Sequence, residues 1–373
     1  MYEDSTRSIF VKLLLKRTRV RIQYVVSGGH TWQQRHSTPA SISSCVSAAF
    51  DEGIRLLKFE SIEICSGAGG QALGLELAGF AHSALVEIEP VACETLRLNR
   101  PTWNVVEGDL RAFNATSFKG IGLLAGGVPC PPFSRAGKQL GADDDRDMFP
   151  EAIRLVDECR PQAVMLENVR GLLDAVFDDY RNKVEKQLKA LGYVPGWRLL
   201  SASDFGVSQL RPRVVFVGLR KDVADQFEWP TPYATRPSTV GTLLHDLMGE
   251  NGWRGVDQWR DRADAIAPTL VGGSKRHGGP DLGPTRARRA WESLGVDGRG
   301  LWDAAPDPDF VGMPRLTTRM TARVQGFPDD WRFAGRKTAT YRQIGNAFPP
   351  PVAEAVARQI IAALSARRSF RVA

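Results

Sequence analysis

Residues 59–87 read FESIEICSGAGGQALGLELAGFAHSALVE, and this stretch decides the fold. An apolar run at 61–65 reads as a strand. The turn Cys65-Ser66-Gly67-Ala68-Gly69-Gly70 follows without a break, helical spacing begins at Leu73, and a second apolar run fills 83–86. This is the strand–helix–strand rhythm of a parallel sheet. Read as GxGxxA, the turn fits a nucleotide-binding loop, where glycines permit a tight bend and close ligand approach. Glu87 ends the second strand twenty residues past Gly67, a position from which a carboxylate can bind ribose hydroxyls. Together these features point to an adenosine-containing cofactor without saying which.

Outward from this unit the rhythm continues. Strands are predicted at 105–106, 121–125, 163–166 and 214–219, and helices at 73–77, 91–98, 149–159, 180–191 and 352–365. The expected fold is α/β, a doubly wound, mostly parallel sheet. Between 221 and 311 the sequence turns rich in Pro, Gly, Trp and Arg, which predicts a smaller irregular domain over 221–328, with 329–373 returning to the sheet domain that begins at 59. Residues 1–58 read as a basic, loosely ordered extension, with one strand-like alternation at 20–24.

Composition bounds the function classes. Of 373 residues, 43% are hydrophobic and 24% charged, which excludes a disordered or collagen-like chain. The five cysteines form no CxxC pair, so neither a zinc site nor a disulfide framework is expected, and a reducing, cytoplasmic setting is. No apolar run approaches the roughly 20 residues of a membrane span. The net charge is +7, of which nine basic and four acidic residues place +5 in residues 1–58. A polyanionic partner is compatible with this balance but must be read from local clusters.

Ligands of open parallel sheets sit at the carboxyl ends of strands. Asp109 follows the third strand, where it either accepts from an adenine amine or caps the next segment. The fourth strand ends in Gly126-Gly127-Val128-Pro129-Cys130-Pro131-Pro132-Phe133-Ser134, so Cys130 is expected at the mouth of the site, its backbone stiffened by prolines as a positioned nucleophile requires. The fifth strand delivers Glu167 to the same edge, where a low dielectric raises a carboxyl pKa toward neutrality. In Gln209-Leu210-Arg211-Pro212-Arg213, the two arginines alternate and are expected to project from one side, as carbonyl or phosphate binders.

These motifs, followed in order by Arg323-Val324-Gln325-Gly326-Phe327-Pro328 and Gln343-Ile344-Gly345-Asn346-Ala347, closely resemble those of the DNA cytosine-5 methyltransferases of bacterial restriction-modification systems, over about residues 59–220 and 313–365. The resemblance implies S-adenosylmethionine as cofactor and double-stranded DNA as substrate. It makes Cys130 the thiolate that adds to cytosine carbon 6, Glu167 the contact to ring nitrogen 3 and the exocyclic amine, Arg213 the contact to the base carbonyl, and Arg211 a holder of the catalytic loop. Cys65, Ser66, Gly67, Gly69 and Gly70 would hold the methionine part of the cofactor, Glu87 its ribose, and Ile88, Asp109 and Leu110 its adenine. Pro129, Asn346 and Ala347 would complete that pocket, while Ser134 and Gln209 would face DNA. Cys65 departs from the usual aromatic residue, and Pro131 from the usual glutamine after the nucleophile.

The target base must leave the duplex to meet a thiolate. Residues 221–312 occupy the family's target-recognition position, although eleven basic and fourteen acidic residues give them −3. Basic residues cluster at Lys275, Arg276, Arg286, Arg288 and Arg289, predicting a groove-facing stretch. A monomer without metal is expected, with a cognate restriction endonuclease as a possible partner. The alternatives are a dinucleotide-dependent oxidoreductase built on the glycine turn, an RNA cytosine-5 methyltransferase, and a non-catalytic DNA-binding regulator on the same fold.

Overall fold

The computed structural model describes residues 9–16, 19–26, 31–35, 59–129, 147–273 and 279–372. The chain divides into two units, Met1–Lys58 and Phe59–Ala373. In the first, β1 (Ile9–Lys16), β2 (Arg19–Val26) and β3 (Thr31–Arg35) form an antiparallel sheet in that order. The alternation at 20–24 therefore belongs to the central strand of three, with Ile22 opposite Leu13 and Tyr24 opposite Trp32.

The second unit is built on seven strands: β4 (Phe59–Ile64), β5 (Phe80–Glu87), β6 (Val105–Glu107), β7 (Leu123–Gly127), β8 (Ala163–Val169), β9 (Tyr193–Ser201) and, after the two-residue β10 (Gln209–Leu210), β11 (Pro212–Arg220). Their order is β6-β5-β4-β7-β8-β11-β9. The chain winds outward from β4 through β5 and β6, then returns to the other side of β4 as β7. A crevice therefore opens beyond the carboxyl ends of β4 and β7. All pairings from β6 to β8 are parallel, while β11 is antiparallel to both β8 and β9.

Strand alternation places the core on both faces of the sheet. Ile62, Ile64, Leu124, Val164, Leu166 and Phe216 pack on one side, against α3 (Phe149–Cys159) and α4 (Asp178–Ala190). Leu123, Ala125, Ala163, Met165, Val215 and Val217 pack on the other, with Leu75 of α1 (Gly70–Ala78) and Val352, Ala353, Val356 and Ile360 of the C-terminal helix α11 (Pro350–Val372). Helix α2 (Pro90–Asn99) adds Leu96 beside Leu85 and Ala72.

After the short α5 (Lys221–Ala224), the region expected to be irregular has helices of its own: α6 (Val240–Met248), α7 (Val256–Arg262) and, past β12 (Ala267–Pro268), α8 (Thr285–Ser293). Trp253, Trp259 and Trp291 centre their core, which also takes in Met320 and Val324 of α9 (Thr318–Gln325) and Tyr341 and Ile344 of α10 (Lys337–Asn346). Past 329, Trp331 and Ala347 also pack in this core, and Phe348 is the first buried residue to join the sheet core. Leu73 of α1 joins the tryptophan core, so the two parts meet beneath the glycine turn. Among the described residues, no helix is long and apolar enough to cross a membrane.

Candidate active site

The glycine turn links β4 to α1 through left-handed backbone at Cys65 (φ +51°), Gly67 (φ +55°) and Gly69 (φ +85°). A non-glycine residue there costs about 1–2 kcal/mol, and Cys65 accepts that strain at the crevice. Gly67 turns its N–H to Glu87, donating to Oε2 at 2.7 Å, and a side chain on it would meet nothing within 4 Å, so the turn opens onto free space. At Gly70 the requirement is proximity: a Cβ there would lie 2.3 Å from the Phe348 carbonyl and 3.1 Å from the Ala347 Cβ. Ser66 is buried and donates through Oγ to the Glu63 carbonyl at 3.1 Å.

Glu87 accepts a second backbone hydrogen bond, from Glu89 N to Oε1 at 2.8 Å. Burial raises its pKa, and the backbone donors partly offset that rise. Ile88, next along, is 57% exposed and presents an apolar surface beside the carboxylate. Asp109 accepts from Arg111 N at 2.9 Å and pairs with the Arg111 side chain at 3.1 Å, capping the short turn that begins at the buried Leu110. Ala347 lies against the turn, whereas Asn346 is exposed and donates to the Gly273 carbonyl at 3.1 Å. Burial, with Glu87, Asp109 and Glu63 nearby, pushes the Cys65 thiol up and keeps it protonated.

At the next strand ends, Gly127 stands opposite Glu167 in the β7–β8 register. A Cβ on Gly127 would lie 3.5 Å from Glu167 Oε2 and 3.9 Å from the Cys65 carbonyl, so three strand ends converge at this point. Glu167 Oε1 pairs with Arg213 Nε at 2.9 Å, with side-chain exposures of only 6% and 13%. Burial raises the Glu167 pKa; Arg213 and Arg211 pull it back without cancelling the rise. Neighbouring Asn168 donates to the Val128 carbonyl at 3.3 Å and so ties β8 to the segment leading to Pro129. Cys130, Ser134, Lys275 and Arg276 lie outside the described residues.

Two expectations need correction. Arg211 and Arg213 do not act together on one target: Arg213 meets Glu167, whereas Arg211 is fully buried and donates to the carbonyls of Leu270, Gly345 and Ala347 at 2.9, 2.8 and 3.0 Å. Gln209 does not face DNA. It is fully buried, donating to Gln325 Oε1 at 2.8 Å and to the Val324 carbonyl at 3.2 Å, and accepting from Leu270 N at 2.9 Å. Gln325, also fully buried, joins this network, and sequence reasoning left it without a role. On α8, Arg286 and Arg289 are exposed, and Arg288 lies half-buried along Gly298. None of the three pairs with a carboxylate among the described residues.

The comparisons with known proteins agree with this geometry. The chain matches the family described as C-5 cytosine-specific DNA methylase over residues 59–362. It is 61% identical to the type II methyltransferase M.NgoMIV of Neisseria gonorrhoeae over 83% of this chain and 99% of the relative. It is 57% identical to the type II methyltransferase M.NaeI of Lentzea aerocolonigenes over 82% of this chain and 75% of that one. Among solved structures, DNMT2 of Spodoptera frugiperda superposes with a TM-score of 0.57 at 16% identity, over 82% of this chain and all of the other, a likeness of fold. A family match across nearly all of the second unit, carried by relatives at this identity, shows that the chain belongs to the C-5 cytosine-specific DNA methylases, enzymes that methylate carbon 5 of cytosine in DNA.

Proposed function

We propose that this enzyme methylates a cytosine flipped out of one specific duplex sequence, using S-adenosylmethionine held at the β4–α1 turn and a covalent adduct through Cys130. The observation that carries the reading is the buried Glu167–Arg213 pair at the strand ends, one gap away from the glycine turn. The residues present fit the cofactor: free space beside Gly67, the Glu87 carboxylate for ribose hydroxyls, and the exposed face of Ile88 for adenine. Asp109 and Leu110 bound the adenine end, Ser66, Gly69 and Gly70 the methionine end, and Pro129, Asn346 and Ala347 the remaining wall. The cofactor, when bound, supplies an electrophilic methyl group.

The chain's own residues activate the base. Cytosine carbon 5 is a weak nucleophile until a thiolate adds at carbon 6, the role given to Cys130. Negative charge then grows on ring nitrogen 3. Burial raises the pKa of Glu167, which makes its protonated form easier to reach and suits it to share a proton with that nitrogen. Arg213 fixes Oε1, and Oε2 lies toward Gly127, which supports Oε2 as the oxygen that meets the base. Loss of the carbon 5 proton to solvent expels the Cys130 sulfur as thiolate, and ring nitrogen 3 returns its proton to Glu167, which restores product and enzyme. The exposed arginines of α8 are the proposed phosphate and groove contacts. The type II relatives favour pairing with a restriction endonuclease of the same site, and one flipped base requires only one active site, so a monomer suffices. Bisulfite sequencing of DNA from a methylation-free host expressing the chain tests the reading. Protected cytosines in one short context, lost with Cys130→Ala, are expected; complete conversion with soluble protein overturns it.

A further inference from the structure

Three fully buried polar side chains, Gln209, Arg211 and Gln325, meet where three distant segments cross. Gln325 Nε2 donates to the Ala347 carbonyl at 2.5 Å, which also accepts from Arg211 at 3.0 Å. Gln325 Oε1 accepts from Gln209, whose own Oε1 accepts from Leu270 N, while Arg211 donates to the Leu270 carbonyl. Both backbone groups of Leu270 are thereby gripped by the residues that also hold Ala347.

Each end of this hub leads to a surface. At one end Ala347 is wedged against Gly70, so its position sets that of the glycine turn. At the other, Leu270 continues into Val271, Gly272 and Gly273. A Cβ on Gly283, just before α8, would lie 3.2 Å from the Val271 Cβ, and one on Gly345 would lie 2.5 Å from Gly272 N. Buried hydrogen-bond networks of this kind have a few discrete arrangements rather than a continuum, because an unpaired member in a low dielectric is costly. A shift of the α8 side therefore reaches the glycine turn through these partners.

We propose that Gln325, acting with Gln209, is a positioning residue that couples occupancy of the duplex site to occupancy of the cofactor turn. The inference rests on the reading above that these two surfaces bind duplex and cofactor. Gln325→Met suits the test because the Ala347 carbonyl keeps its bond from Arg211 and the Gln209 amide keeps its bond to the Val324 carbonyl, so only one amide N–H loses its partner.

The affinity of the full chain for S-adenosylhomocysteine, which cannot react, is measured by titration calorimetry with and without a duplex carrying the sequence mapped by bisulfite. In the wild type, duplex is expected to tighten binding by about five-fold or more, and by linkage the compound tightens duplex binding by the same factor. In Gln325→Met that factor falls toward one while each ligand alone still binds and thermal unfolding stays cooperative. A merely structural residue would weaken folding and leave the factor intact. Should Gln325→Met not fold, Gln209→Met is judged by the same factor. An unchanged factor in the folded variant overturns the proposal. A wild-type factor of one also overturns it but leaves the functional reading standing, since both ligands bind. Failure to bind either ligand removes both.

Discussion

Replacing Glu167 by glutamine separates its proton from its shape. The amide keeps an oxygen where Oε1 meets Arg213 Nε at 2.9 Å, so the hydrogen bond survives while the counter-charge is lost. Outright removal of one partner of a buried pair costs about 3–5 kcal/mol; with an acceptor retained, the loss of charge assistance is expected to cost about 1–3 kcal/mol. That is small enough to leave a folded enzyme. The chemical step loses a positioned acid, worth roughly 10²–10⁴-fold. The assay is single-turnover transfer of labelled methyl groups to duplex DNA, read beside denaturant unfolding of the same samples. The pH profile gives a second signature. Burial raises the Glu167 pKa, so a rate that needs its proton declines as pH rises through the folded value. The glutamine variant lacks that limb. A single-turnover rate within about threefold of wild type would refute the acid role assigned to Glu167.

Three further outcomes follow from the same structure. Glu63 is buried, and burial lifts its pKa well above the usual range against the lowering effect of the Ala72 backbone N–H, so its stabilising contribution is lost as pH rises through the folded value; Glu63→Gln should gain melting temperature over wild type, increasingly so toward alkaline buffer. His82 bridges Ser61 Oγ at 3.0 Å and the Ala72 carbonyl at 2.9 Å, and burial lowers its pKa from 6.5. Its unfolded form binds protons first, so wild type should lose melting temperature relative to His82→Gln as pH falls below that value. Neutralising Arg286, Arg288 and Arg289 together should flatten the salt dependence of duplex affinity. With only Arg286 and Arg289 exposed, the change in log–log slope should be about 1.8 rather than the roughly 2.7 of three phosphate contacts, and an unchanged slope removes α8 from the DNA interface.

The parts of the fold legible in sequence were those fixed by local periodicity. The glycine turn and the strands at 61–65, 121–125 and 163–166 stand where the residues put them, because an apolar strand buried on both faces has few other readings. β9 escaped because Pro195 and Gly196 interrupt it. Both are tolerated since it forms the edge of the sheet, where a missing N–H leaves no ladder bond unmade. The antiparallel course of β11 follows from a connection too short for a crossover helix, only residues 202–211 between β9 and β11. In the small domain, α6 and α8 have nine residues each and α7 seven, and they are held by tryptophans from separate segments rather than by a long apolar stripe.

The site divides along the same line. Cys65, Glu87, Gly127 and Glu167 converge because each lies at or within two residues of the carboxyl end of a parallel strand in one sheet, a property that sequence order and a strand-end rule make readable. Gln209, Arg211 and Gln325 do not end anything. Their partners lie 22 to 136 positions away along the chain, and no spacing rule links residue 209 to 270 and 325, or 211 to 347. In isolation a glutamine beside two arginines reads as a surface for an anion. Only burial shows that its amide closes a network in which every bond is made to a segment the local pattern cannot see. Polar residues at such crossings are thus read with the wrong sign from sequence: the groups that look most available to DNA are the ones the fold has already engaged, whereas Arg286 and Arg289 of α8, set in a stretch of net negative charge, stay exposed and unpaired with any described carboxylate.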